Sequence, residues 1–176
     1  DLGGIDPNEL GRVLGNSVAK AFDTAVLTAM AANLTESTSD AVPLTGNGIF
    51  DAVAQIRGAG EMGQLFGVLS VAEATALMKD LFANGNFSGG DFQTEALRNG
   101  YVGTYAGVKM FMSALVPAAH SGFIFGVDSC RIAMQKNADI EVQRRAAAVG
   151  NDVVASIHAG VGVVDATRGI QLINVA

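Results

Sequence analysis

Few residues in this chain have the type and spacing that chemistry requires. Gly58-Ala59-Gly60-Glu61-Met62-Gly63 matches the G-x-G-x-x-G string. That string cradles a pyrophosphate only where it follows a strand and opens a helix, because the anion then rests on the helix N-terminus. Here it follows a helical pattern and precedes a short apolar run, and Glu61 would face the phosphates. It reads as a helix C-cap and turn. His120 and His158 stand on unrelated segments with no H-x-x-x-H or H-E-x-x-H spacing. A hydrolytic zinc site needs three convergent ligands, so both read as structural or surface histidines. Cys130 is the only cysteine, which excludes an internal disulfide and a multi-thiolate metal site. It reads as a small buried apolar residue on a strand, in a reducing or indifferent compartment. No G-x-S-x-G elbow or Walker string is present. No catalytic, cofactor-binding or metal-binding residue is nominated, and no cofactor is expected.

The charged segment Asp139-Ile140-Glu141-Val142-Gln143-Arg144-Arg145 is the remaining candidate. Asp139 and Glu141 are same-face neighbours on a strand, and charge alternates with apolar side chains. Such a strand suits edge-to-edge pairing between subunits, where charges set register and partner choice. A solvated strand face explains it equally well.

Composition bounds what can surround these residues. The chain has 176 residues, enough for one ordinary domain that buries roughly 70% of its unfolded surface without staples. Eleven Lys and Arg against seventeen Asp and Glu give a net charge of −6, against a free-standing phosphate-gripping protein. Charged residues make up 16% and apolar residues 49%, with a mean hydropathy of +0.34. The usual charged share is about 25%. This chain has more apolar surface than a free monomer can hide, and obligate interfaces resemble a core cut in half. A membrane helix is rejected, because the uncharged run from Met110 to Val127 is broken by Ser113, Pro117, His120, Ser121 and Gly122. The sequons at Asn33 and Asn86 follow no signal peptide and are discounted.

The periodicity predicts helices first and strands later. Asp6-Pro7-Asn8-Glu9 starts a helix that runs to about Ala32 through Leu10, Leu14, Val18 and Phe22. Thr35 to Thr45 reads as a loop. A second helix covers Asn47 to Arg57, with Ile49, Phe50, Val53 and Ile56 on one face. Leu65 to Leu69 is a buried strand, and Ser70-Val71-Ala72-Glu73 is a capping box opening a third helix. A loop at Asn86–Gly90 and a helical turn near Thr94–Arg98 follow. Strands are predicted at Tyr101–Ala106, Val108–Ser113, Gly122–Val127, Ser129–Gln135, Ile140–Ala146, Val153–Gly162 and Gly169–Asn174. The class is α+β with a largely antiparallel sheet, without internal repeat or domain linker.

The run from Asn99 to Pro117, with Gly103, Gly107, Ser113 and Pro117 at its fixed positions, resembles a β-hairpin stretch of tailed-phage major capsid proteins. Phe66–Ser70 is similar to the strand before it, and Val149–Ala176 to the family's C-terminal strands. The resemblance covers most of the chain from Asp6. It implies the Hong Kong 97-like capsid fold, with an axial and a peripheral domain. Residues 1–45 would supply the peripheral long helix and a connecting loop, 46–137 mainly the axial domain, 138–150 a peripheral strand region, and 151–176 the returning strands. The family's N-terminal arm and extended loop are not found, and the chain starts at Asp1, so its beginning is expected to be missing.

What the resemblance implies is a structural subunit and not an enzyme. It would assemble with itself into hexamers and pentamers and an icosahedral shell around double-stranded DNA. Contact with the DNA would be weak and non-specific, which suits an acidic chain. Portal, scaffold or decoration proteins are further possible partners. The place would be the virion, after assembly in the host cytoplasm, without a membrane. Asp139, Glu141, Arg144 and Arg145 become candidate subunit contacts, and Gly103 and Gly107 positions where the backbone bends or a side chain would clash. An encapsulin-like nanocompartment shell is the alternative. A small nucleotide-using or hydrolytic enzyme built on the glycine turn is the last.

Overall fold

The computed structural model describes residues 7–36, 44–83, 101–145 and 150–173. Helix α1 spans Pro7–Asn33, α2 Gly46–Gly58 and α3 Val71–Ala83. The strands are β1 Thr35–Glu36, β2 Leu65–Ser70, β3 Tyr101–Tyr105, β4 Val108–Ser113, β5 His120–Gly126, β6 Cys130–Arg145, β7 Gly150–Val163 and β8 Gly169–Ile173. The expected cap Asp6, the loop at Asn86–Gly90 and the turn near Thr94–Arg98 lie outside the described residues. So do Ala146 and Asn174, the expected ends of two strands.

The class is α+β. Six strands form one sheet in the order β1-β8-β5-β2-β4-β3, and β6 and β7 form a second. Of the five pairings in the larger sheet, β2–β5, β3–β4 and β5–β8 are antiparallel, whereas β1–β8 and β2–β4 are parallel. The sheet is therefore mixed. The parallel β2–β4 pair arises because α3 carries the chain back across the sheet between β2 and the β3–β4 hairpin.

The chain divides into two compact units. One comprises residues 1–26 and 132–161, the other residues 27–131 and 162–176. The second unit holds a core in which α2 and α3 cover one face of the six-stranded sheet. Ile49, Ala52 and Ile56 of α2 and Ala74 and Leu77 of α3 meet Leu65, Leu69, Val108, Met110, Ile124, Ile170 and Leu172. Strand β2 alternates, with Leu65, Gly67 and Leu69 buried and Phe66, Val68 and Ser70 half-buried, as a pleated strand requires. Thr45 caps α2, accepting from the Gly48 N–H at 3.4 Å. Ser70 does the same for α3, accepting from the Glu73 N–H at 3.3 Å. The Glu73 carboxylate does not close the box; it accepts from the buried Leu44 N–H at 2.8 Å.

Three further expectations need correcting. Phe50 is not on the buried face of α2; it is exposed and meets Tyr105 edge-on with ring centroids 5.3 Å apart. Ala52 takes its place in the core. The loop predicted from Thr35 begins instead as β1, two residues too short to carry a pattern, held by pairing with Ile170 and Gln171. The two strands predicted over Ser129–Gln135 and Ile140–Ala146 are one continuous β6. The polar break expected at Lys136-Asn137-Ala138-Asp139 is bridged by Lys136 Nζ, 2.7 Å from Asp139 and 3.8 Å from Glu141.

The β3–β4 hairpin turns on Ala106 and Gly107, both left-handed at φ 50° and 78°. This is the two-residue geometry whose twist matches its flanking strands. Gly103, at φ 123°, sits at a bulge between Tyr101 and Gly103. A Cβ on Gly107 would meet nothing within 4 Å, so backbone conformation and not crowding demands this glycine. Gly107→Val is expected to cost about 2 kcal/mol, the penalty of a left-handed backbone for a residue with a Cβ. A lowered denaturation midpoint would be read out, and an unchanged one would contradict the turn.

Candidate assembly surfaces

Three segments converge at one corner of the larger unit. The first is the glycine turn. Glu61 N–H bonds the Ile56 carbonyl at 3.3 Å and Gly60 N–H the Arg57 carbonyl at 3.0 Å, with Gly60 at φ 94°. These are the paired bonds that close a helix around a left-handed glycine. Arg57 Nη1 donates to the Glu61 and Gly63 carbonyls, each at 2.8 Å. The Gly63 N–H, which a phosphate would need, is bonded to Glu61 Oε1 at 2.7 Å. The turn thus carries its own anion, buried against Gly63 and Gly126.

Arg168, on the second segment, holds that anion. Its Nη1 lies 3.4 Å from Glu61 and 3.7 Å from Asp128, and its Nε 3.0 Å from Asp165. The third segment is the β5–β6 turn, where Arg131 pairs with Asp128 at 2.6 Å and the Ser129 carbonyl accepts from Val164 and Asp165. Cys130 follows, half-buried, with burial pushing its thiol pKa up. Asp165 caps the short helical turn Ala166–Arg168. The Thr167 hydroxyl at 2.6 Å and its N–H at 3.0 Å hold the Asp165 carboxyl below the ordinary carboxylate range, with Arg168 adding to the effect.

A carboxylate depressed in the folded state stabilises above its unfolded pKa of about 3.9 and loses that contribution as pH falls through the folded value. Asp165→Asn is therefore expected to melt lower than the parent at neutral pH, with the two converging on acidification. Parallel curves of melting temperature against pH would refute the assignment.

His120 is held through one ring nitrogen, while its buried Nδ1 has no hydrogen-bond partner among the described residues. Gln171 Nε2 donates to the Leu34 carbonyl at 2.9 Å, which turns Gln171 Oε1 toward His120 Nε2 at 3.0 Å. The ring stacks on Phe123 at 5.5 Å. His158 is an exposed residue of β7. Among the described residues, no three His, Cys, Asp or Glu side chains are placed to hold a metal. No helix of the described residues is long and apolar enough to cross a membrane.

In the smaller unit, the candidate charges are spread along the β6–β7 ribbon. Lys136 ties Asp139 and Glu141, and its hydrogen bond holds the Asp139 carboxyl low. Arg145 reaches Asp152 at 3.7 Å, and Arg144 is exposed. Nearly all of β6 is exposed, including Ile132, Met134, Ile140 and Val142, each more than half so. Within the same unit, α1 residues Gly15, Val18, Ala19 and Phe22 face Ala138, Ile140, Ala155 and Ile157 across an open apolar groove of about 290 Å³. The ribbon thus exposes apolar residues beside its charges. Their alternation was legible, but which face met water was not.

Of the hairpin candidates, Gly103 and Gly107 shape β3 and its turn. Ser113 Oγ accepts from the Leu115 N–H at 3.2 Å. The Pro117 carbonyl accepts from the His120 N–H at 2.9 Å, so Pro117 belongs to the β4–β5 connection.

No protein-family model and no curated protein matches the sequence. Solved structures do match it. A structure from Mycobacterium phage Che8 superposes with a TM-score of 0.72 at 16% identity, covering 94% of this chain and 62% of that one. The capsid structure of cyanophage P-SCSP1u gives 0.71 at 16% identity, covering 96% and 66%. The asymmetric unit of the mature capsid of bacteriophage PhiM1 gives 0.64 at 19%, covering 99% and 67%. The chain spans about two thirds of the length of each.

Proposed function

We propose, from the fold that this chain shares with phage capsid proteins, that it is the shell-forming subunit of a tailed-phage type capsid. The observation that carries the reading beyond fold is the β6–β7 ribbon. A two-stranded ribbon is marginal in water, and this one presents Ile132, Met134, Ile140, Val142 and Val154 more than half exposed. In a shell, neighbouring copies cover such a surface. The role is mechanical: heterologous contacts close rings of five and six, and the closed shell encloses double-stranded DNA. On this reading residues 1–26 and 132–161 form the peripheral domain of the Hong Kong 97-like fold, and residues 27–131 and 162–176 the axial domain. Asp139, Glu141, Arg144 and Arg145 lie at or near subunit contacts, with exposed apolar neighbours supplying the buried centre. The acidic balance supports a lining that touches DNA weakly, since each phosphate contact would add salt-dependent affinity.

Electron microscopy of material from the native source tests this. Shells tens of nanometres across containing nucleic acid are the expected result. Shells that hold protein and no DNA would replace it with the nanocompartment reading. A homogeneous monomer or dimer would sink both.

A further inference from the structure

We draw no further inference here: the strongest candidate, the corner where the glycine turn, the β5–β6 turn and the β7–β8 segment bring exposed Met62, Val127 and Val164 around Arg168, carries nothing, because its charges are met within the corner and nothing in the structure shows what covers it.

Discussion

Reversing Arg144 and Arg145 together, as Arg144→Glu/Arg145→Glu, is expected to abolish particle formation while leaving the subunit folded. Within the subunit these side chains contribute little. Arg145 and Asp152 are 3.7 Å apart and both more than half exposed, a class of pair worth about 0–1 kcal/mol. For a domain of this size such a loss moves the melting temperature by about 2–4 °C. Across an interface the arithmetic differs. Like charges brought face to face cost several kcal/mol, and a shell repeats that cost at every equivalent contact. Light scattering and microscopy of the purified variant would follow assembly, with a thermal melt of the unassembled subunit beside them. Equal loss of both would make the arginines internal supports. Full assembly would make β6 a solvated face and overturn the proposed ribbon contact.

The second large effect is expected inside the sheet, at Gly122. Its partner across the antiparallel ladder is Leu69. A Cβ at Gly122 would press on the Val68 carbonyl oxygen, on Leu69 Cδ2 at 2.7 Å and on Leu69 Cα at 2.9 Å. Two of these are backbone atoms of a neighbouring strand and cannot step aside without opening the ladder. Overpacking of this kind costs about 3 kcal/mol and occasionally more, so Gly122→Ala should unfold at markedly lower denaturant. Gly67→Ala is the internal control. It also faces a crowded site, but its closest neighbour is the Met110 thioether, an unbranched side chain that can move, and its loss should be clearly smaller. Equal midpoints for the two variants would mean that β2 and β5 are not held at this spacing.

Much of the fold was legible because burial imposes periods. Leu65–Leu69 reads as a buried strand from its apolar run, and β2 buries every second residue of it; α1 and α2 begin and end within about a residue of their predicted limits, and α3 opens directly after its predicted cap at Ser70. Legibility failed where burial imposes no period. Strand β6 is exposed on nearly every residue, so Lys136-Asn137-Ala138-Asp139 looked like an interruption when an ion pair across it sufficed. Strand β1 exists only through its partners on β8. Phe50 is large and apolar and reads as part of the helix's apolar face, yet the core takes Ala52 and leaves Phe50 against Tyr105. The turn at Gly58–Gly63 was read for its shape. What fills it, a carboxylate from its own fourth residue held by Arg168 from 107 positions away, no local pattern could announce.

The division of the chain into two compact units has a consequence for inheritance. The boundaries fall at Val26–Leu27, Arg131–Ile132 and Val161–Gly162, inside α1, β6 and β7 and not in connecting loops. Each unit is therefore assembled from separated stretches of the gene. A single recombination crossover cannot exchange one unit for a foreign counterpart, and every junction it created would cut a helix or a strand. Exchange of either unit alone would need crossovers at all three boundaries.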